Sequence, residues 1–102
     1  MKIRLTFSAL ALLAIAGTTH AQRVSPQQAR SWAAGCANCH GTNGQAQPGL
    51  ASLAGASKDE TVQKMKEFKS GARPATLMHQ LAKGYTDEQI EAIAAYFAAQ
   101  KK

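Results

Sequence analysis

Sulfur chemistry has little to draw on here: the chain holds two cysteines, Cys36 and Cys39, and no others. No stretch alternates apolar and polar residues, so no sheet is expected. Paired carboxylates in an apolar setting, an activated serine and a glycine-rich nucleotide loop are all missing. General acid–base, nucleophilic and nucleotide chemistry therefore have no foothold. No Lys/Arg run is interleaved with aromatics, so nucleic acid is not expected as a partner. Repeats and low-complexity tracts are absent too, and 102 residues make one domain at most.

The longest apolar run, Leu5 to Ala16, follows Lys2 and Arg4. It falls short of the roughly 20 apolar residues that cross a bilayer. Thr19 and Ala21 put small residues at the two positions a signal peptidase reads. Residues 1–21 therefore read as a removed signal peptide and 22–102 as the working domain. A periplasmic protein without stable membrane insertion is expected. Lys2 and Arg4 leave with the signal and all six acidic residues stay, so the mature chain is mildly basic. Such a surface steers a molecule toward an acidic partner and says nothing about fold.

Helix signals are clear. Ser25-Pro26-Gln27-Gln28 combines a capping serine, a proline suited to the first helical position and a capping-box glutamine. That helix carries Ala29, Trp32 and Ala33 and runs into Cys36. A second box, Ser57-Lys58-Asp59-Glu60, opens a helix with Val62, Met65 and Phe68 at helical spacing, stopped by Gly71 and Pro74. A third, Thr86-Asp87-Glu88-Gln89, is flanked by Tyr85 and Ile90 as a hydrophobic staple and leads into Ile93, Ala94 and Phe97. A short helical stretch from Leu77 to Lys83 is expected before Gly84. Gly41 to Gly55 reads as a loop. The predicted fold is all-α, three to four helices, with loops long enough to need something to pack against.

The chemistry concentrates in C-A-N-C-H, Cys36 to His40. A redox dithiol usually follows a strand near a βαβ pattern, which this chain lacks. Structural zinc needs four ligands. Only His79 remains as a distant fourth, and the adjacent Cys39 and His40 would struggle to share one tetrahedral ion. A Cys36–Cys39 disulfide is strained at this spacing. Covalent haem accounts for every position. Two thiols separated by two residues can form thioethers with the two vinyl groups, and the next histidine is carried under the ring to the iron. CxxCH is the mark of c-type attachment. One haem c, held by Cys36 and Cys39 with His40 as proximal ligand, is expected. It also supplies the staple that so small a domain needs.

For the distal side, Met65 lies on an apolar helix face and reads as pocket wall. Met78 and His79 remain. A thioether ligand raises the reduction potential, and His/Met ligation is the arrangement named for electron-transfer cytochromes c, which favours Met78. If both axial positions are filled, only outer-sphere electron transfer is open.

CANCHGTNG with Leu53-Ala54-Gly55 resembles the small class I cytochromes c. FKSGARPATLMHQLAKGYTDEQIEAIAAYFA, Phe68 to Ala98, resembles the cytochrome subunit of flavocytochrome c sulfide dehydrogenase. The resemblance implies a class I cytochrome c fold whose first and last helices cross, with Trp32 near Tyr96 and Phe97. It implies His40 as proximal ligand and Met78 at the family's distal methionine. It further implies an FAD-containing flavoprotein partner that oxidises sulfide, and a soluble electron acceptor. The family often places a proline where this chain has Ala51, and Pro48 lies three residues earlier. The Pro48 carbonyl is taken as the acceptor for the His40 ring. Arg73 and Tyr85 are candidates for haem propionate contacts, with a plain surface role for Arg73 an equal option. Beside the sulfide dehydrogenase subunit stand a free-standing electron carrier and, third, a haem sensor or peroxidase with an open distal side.

Overall fold

The computed structural model describes residues 23–102; the expected signal segment lies outside the described residues. The elements run α1 (Pro26–His40), a 3-10 turn (Thr42–Gly44), α2 (Lys58–Ser70), α3 (Met78–Ala82) and α4 (Asp87–Ala98). No strand occurs among the described residues.

Each long helix starts where its cap was expected. The Ser25 hydroxyl accepts from the Gln28 amide, and the Gln28 side chain accepts from the Ser25 amide, both at 3.1 Å. Thr86 and Gln89 form the same reciprocal pair before α4, at 2.9 and 3.1 Å. Such pairs satisfy two amides that a helix start leaves without partners. Only half of the middle box forms: the Ser57 hydroxyl accepts from the Glu60 amide at 3.5 Å, without the reciprocal bond. Asp59 and Glu60 instead sit in the first turn, where the helix dipole favours negative charge. Gly71 ends α2 in the left-handed region, φ 83°, which glycine adopts without steric cost.

The first helix, expected to run into Cys36, continues through the whole of CANCH to His40, where Gly41 takes over.

Packing centres on α4. Its Ile93 and Phe97, one turn apart, meet Ala33 of α1, with Trp32, Cys36, Leu53, Tyr85 and Tyr96 packed around them. This is the crossing of first and last helices that the resemblance implies. Ile90 and Ala94, on the adjacent side of α4, meet Val62 of α2, with Met65 and Tyr85 alongside. Tyr85 touches both clusters, so the staple residue before α4 joins the two halves of the core. Phe97 and Ile90 are each 1% exposed, and burying side chains of this size is worth about 1.5–3 kcal/mol apiece. Most of the remaining core residues are alanines. So thin a core gains from a bound group that extends it. Two ion pairs also tie α2 to α4, Lys58–Glu91 at 3.0 Å and Lys69–Asp87 at 3.4 Å.

Candidate haem site

Residues three apart on a helix are surface neighbours, so the continuation of α1 through CANCH sets Cys36 and Cys39 side by side. Neither is in a disulfide; Cys36 is half-buried and Cys39 exposed. Burial pushes the Cys36 thiol above its ordinary range, partly offset by a backbone hydrogen bond. Among the described residues no three His, Cys, Asp or Glu side chains converge as a metal cage. His79 therefore does not join the CANCH donors.

His40 is the last residue of α1, and its Nδ1 lies 2.5 Å from the Ala51 carbonyl oxygen. A carbonyl only accepts, so Nδ1 carries the proton and Nε2 keeps its lone pair. That is the tautomer a metal-binding imidazole requires. The acceptor is Ala51 and not Pro48, and the loop shows why. A turn closed by the Leu50 amide on the Gln47 carbonyl, 3.1 Å, carries Pro48 and Gly49 outward. The Ala46 amide donates to the Ser52 hydroxyl at 3.1 Å. The Leu53 and Ala54 amides both donate to the Gly44 carbonyl, at 2.8 and 3.1 Å. Ala51 is left facing the imidazole, at the position where the resembling family often has proline.

Gly44 is the hinge of this loop. It has φ 81°, and a Cβ there would stand 2.7 Å from the Ala54 nitrogen and 2.8 Å from Phe97 Cδ1. The Tyr96 hydroxyl donates to Asn43 Oδ1 at 2.9 Å, fixing the same loop to α4. No local sequence pattern announces these two contacts, because their partners lie about half the chain apart.

Met78 is the first residue of α3, and it is half-buried beside a half-buried His79. His79 Nδ1 is buried without a hydrogen-bond partner. Met65 packs against Val62, Ile90 and Ala94, which makes it part of the core beside α2. Arg73 is committed to Glu67, with Nη2 and Nε at 2.7 and 2.8 Å from the carboxylate Oε2. Hydrogen bonds from Gln63 and Arg73 hold the Glu67 carboxyl below its usual range. Tyr85 reaches α1, its hydroxyl 3.4 Å from where a Cβ on Gly35 would be. Burial raises its phenol above the ordinary value.

This donor set suits a covalently attached haem: two unpaired thiols three apart, an imidazole with its Nε2 left free, and a partly covered thioether. Leu50, Leu77 and Leu81 are each more than half exposed. They lie beside Ala51 and on either side of Met78, and leave apolar surface that the chain itself does not cover.

The family model for cytochrome c matches residues 27–101. The chain belongs to the cytochrome c family. Its cofactor is a covalently bound haem c, and the four α-helices among its described residues form the class I cytochrome c fold. Among cytochromes, it is 44% identical over 62 residues to the cytochrome subunit of sulfide dehydrogenase of Chlorobaculum tepidum, covering 61% of this chain and 56% of that one. It is 35% identical to cytochrome c4 of Pseudomonas aeruginosa, over 96% of this chain and 49% of the relative. The solved cytochrome c4 of Acidithiobacillus ferrooxidans superposes with a TM-score of 0.64 at 31% identity, covering 70% of this chain and 49% of that one. The chain thus spans about half the length of these relatives. No helix among the described residues is long and apolar enough to cross a membrane.

Proposed function

We propose that this protein is a periplasmic one-electron cytochrome, and that it serves as the haem subunit receiving electrons from a sulfide-oxidising, FAD-containing flavoprotein. Residues 1–21 direct export and are removed, leaving 22–102 as the cytochrome domain. Cys36 and Cys39 form the thioethers, His40 Nε2 is the proximal donor and Met78 Sδ the distal one. The bound haem supplies a ferric/ferrous couple that holds one electron at a time.

The observation that carries the electron-transfer reading is the His40 Nδ1–Ala51 contact at 2.5 Å. It fixes the imidazole by a backbone atom of a loop that is itself pinned to α4. A ring held this way changes little between redox states, which suits outer-sphere transfer. With Met78 on the other side, no substrate reaches the metal, and the chain makes or breaks no substrate bond itself. The sulfide assignment is supported by the likeness to the Chlorobaculum tepidum subunit. A soluble acceptor then takes the electrons onward.

A free-standing carrier is the second reading. It is favoured by the likeness to cytochrome c4 over 96% of this chain. The two separate in one preparation. The full-length protein, tagged at its C-terminus, is purified from the periplasm of its own host and its absorption recorded before and after sulfide. The subunit reading expects a companion chain, a flavin spectrum and reduction by sulfide. A flavin-free protein that sulfide does not reduce contradicts it and leaves the carrier.

A further inference from the structure

Met78 stands in a segment with few ties of its own. Among the described residues, hydrogen bonds of residues 74–84 reach only one another and Tyr85. None of their side chains joins an ion pair. The helix in this segment, α3, has five residues, and its N-cap Leu77 offers no side-chain bond. A helix that short is not stable in water by itself. Ala82 is the one buried residue of the segment.

The last turn of α2 grips both ends of this segment. On the incoming side, Arg73 Nη2 and Nε donate to Glu67 Oε2 at 2.7 and 2.8 Å. The Arg73 amide donates to the Glu67 carbonyl at 3.2 Å, and its guanidinium lies over the Phe68 ring, 5.8 Å from the centroid. Gln63 Nε2 donates to the other carboxylate oxygen, Glu67 Oε1, at 3.0 Å. On the outgoing side, Lys69 Nζ donates to the Tyr85 carbonyl at 2.7 Å and to Asp87 Oδ1 at 3.4 Å. Residues two apart on a helix point to roughly opposite sides. Glu67 therefore takes the chain that leaves α2, and Lys69 the chain that leaves α3. Exposed ion pairs add little to global stability. A short segment, however, opens locally at far lower cost than the whole fold, and there the ties at its two ends decide how often it opens.

We propose that Glu67, Arg73 and Lys69 are positioning residues for Met78: by gripping both ends of the segment between Arg73 and Tyr85, they hold the thioether at the haem iron and keep outside ligands from it. The inference rests on the reading of Met78 as distal ligand. A thioether carries no charge to hold it at the metal, so its place depends on the groups that orient the chain presenting it.

The test uses the full-length, haem-loaded protein. It reads hydrogen exchange by mass spectrometry, the rate at which the ferric form takes up imidazole, and the far-red band of sulfur bonded to iron. Lys69→Met removes the grip on Tyr85. Arg73→Glu breaks the grip on Glu67, and combining it with Glu67→Arg rebuilds the pair with its charges exchanged. Lys58→Met is the control, since it breaks the exposed Lys58–Glu91 pair at the other end of α2. Lys69→Met and Arg73→Glu speed both hydrogen exchange in residues 74–84 and imidazole uptake several-fold, while α1 and α4 exchange as in the wild type. The charge-exchanged pair brings both rates back toward the wild-type values, and Lys58→Met leaves them there. Unchanged rates in Lys69→Met and Arg73→Glu overturn the proposal. Equal acceleration by Lys58→Met also overturns it, since loss of any surface pair then explains the effect, and so does a charge exchange that restores nothing. A wild type without the far-red band overturns the Met78 reading itself, whatever the exchange rates.

Discussion

His40 Nδ1 donates to the Ala51 carbonyl across a separation of 11 residues, at 2.5 Å. The acceptor is backbone, so substitution of Ala51 cannot delete it, and the bond must be tested through the loop that presents it. Ser52→Ala removes the acceptor of the Ala46 amide, 3.1 Å away. Water can reach this surface bond, so the cost is about 0.5–1.5 kcal/mol and not the full penalty of a buried orphan. The midpoint potential shifts as the His40 bond slackens, whereas Ser52→Thr restores both values. Equilibrium denaturation and a redox titration check this together.

Gly44→Ala is expected to be worse than its size suggests. The added Cβ meets the Ala54 nitrogen at 2.7 Å and Phe97 Cδ1 at 2.8 Å, from a φ of 81°. Overpacking of this kind costs about 1–3 kcal/mol, and left-handed backbone adds to it. Gly49→Ala, at φ 92° with nothing within 4 Å, keeps the backbone cost alone and is milder. Urea midpoints of the two variants give the order directly.

Helix starts were legible because each is written in a few adjacent residues: Ser25 with Gln28, Thr86 with Gln89, Tyr85 with Ile90. So was CANCH, whose spacing carries its own chemistry. The end of α1 has no marker inside the motif, because CANCH is itself helical here and shows no stop signal before Gly41. The His40 acceptor was misassigned for a different reason. Proline suggested Pro48, but the acceptor is chosen by the course of the whole loop, through bonds from Gly44, Ala46 and Ser52 that no local pattern encodes. The Tyr96–Asn43 bond and the seat of Gly44 on Phe97 are likewise products of tertiary packing.

Acid weakens the fold in a defined window through Glu67. Hydrogen bonds from Gln63 and Arg73 depress its folded value below the ordinary 4.5. A depressed carboxyl contributes stability that is present above the unfolded value and is lost as pH falls through the folded one. The wild type therefore loses stability from about pH 4.5 downward, while Glu67→Gln, which cannot titrate, loses less over the same range. The effect is small because the group meets solvent. Melting temperature against pH shows it as a shallower acid limb in the variant.

The account stands or falls on the second axial ligand. The most direct measurement is the ferric absorption spectrum of the full-length, haem-loaded protein through the far red, for the wild type, Met78→Ala and His79→Ala. Sulfur bonded to ferric iron gives a weak band there. The account predicts that the wild type and His79→Ala both show the band and that Met78→Ala loses it, with a fall in midpoint potential. A wild type without the band, or a band that survives Met78→Ala, contradicts the closed His40/Met78 site.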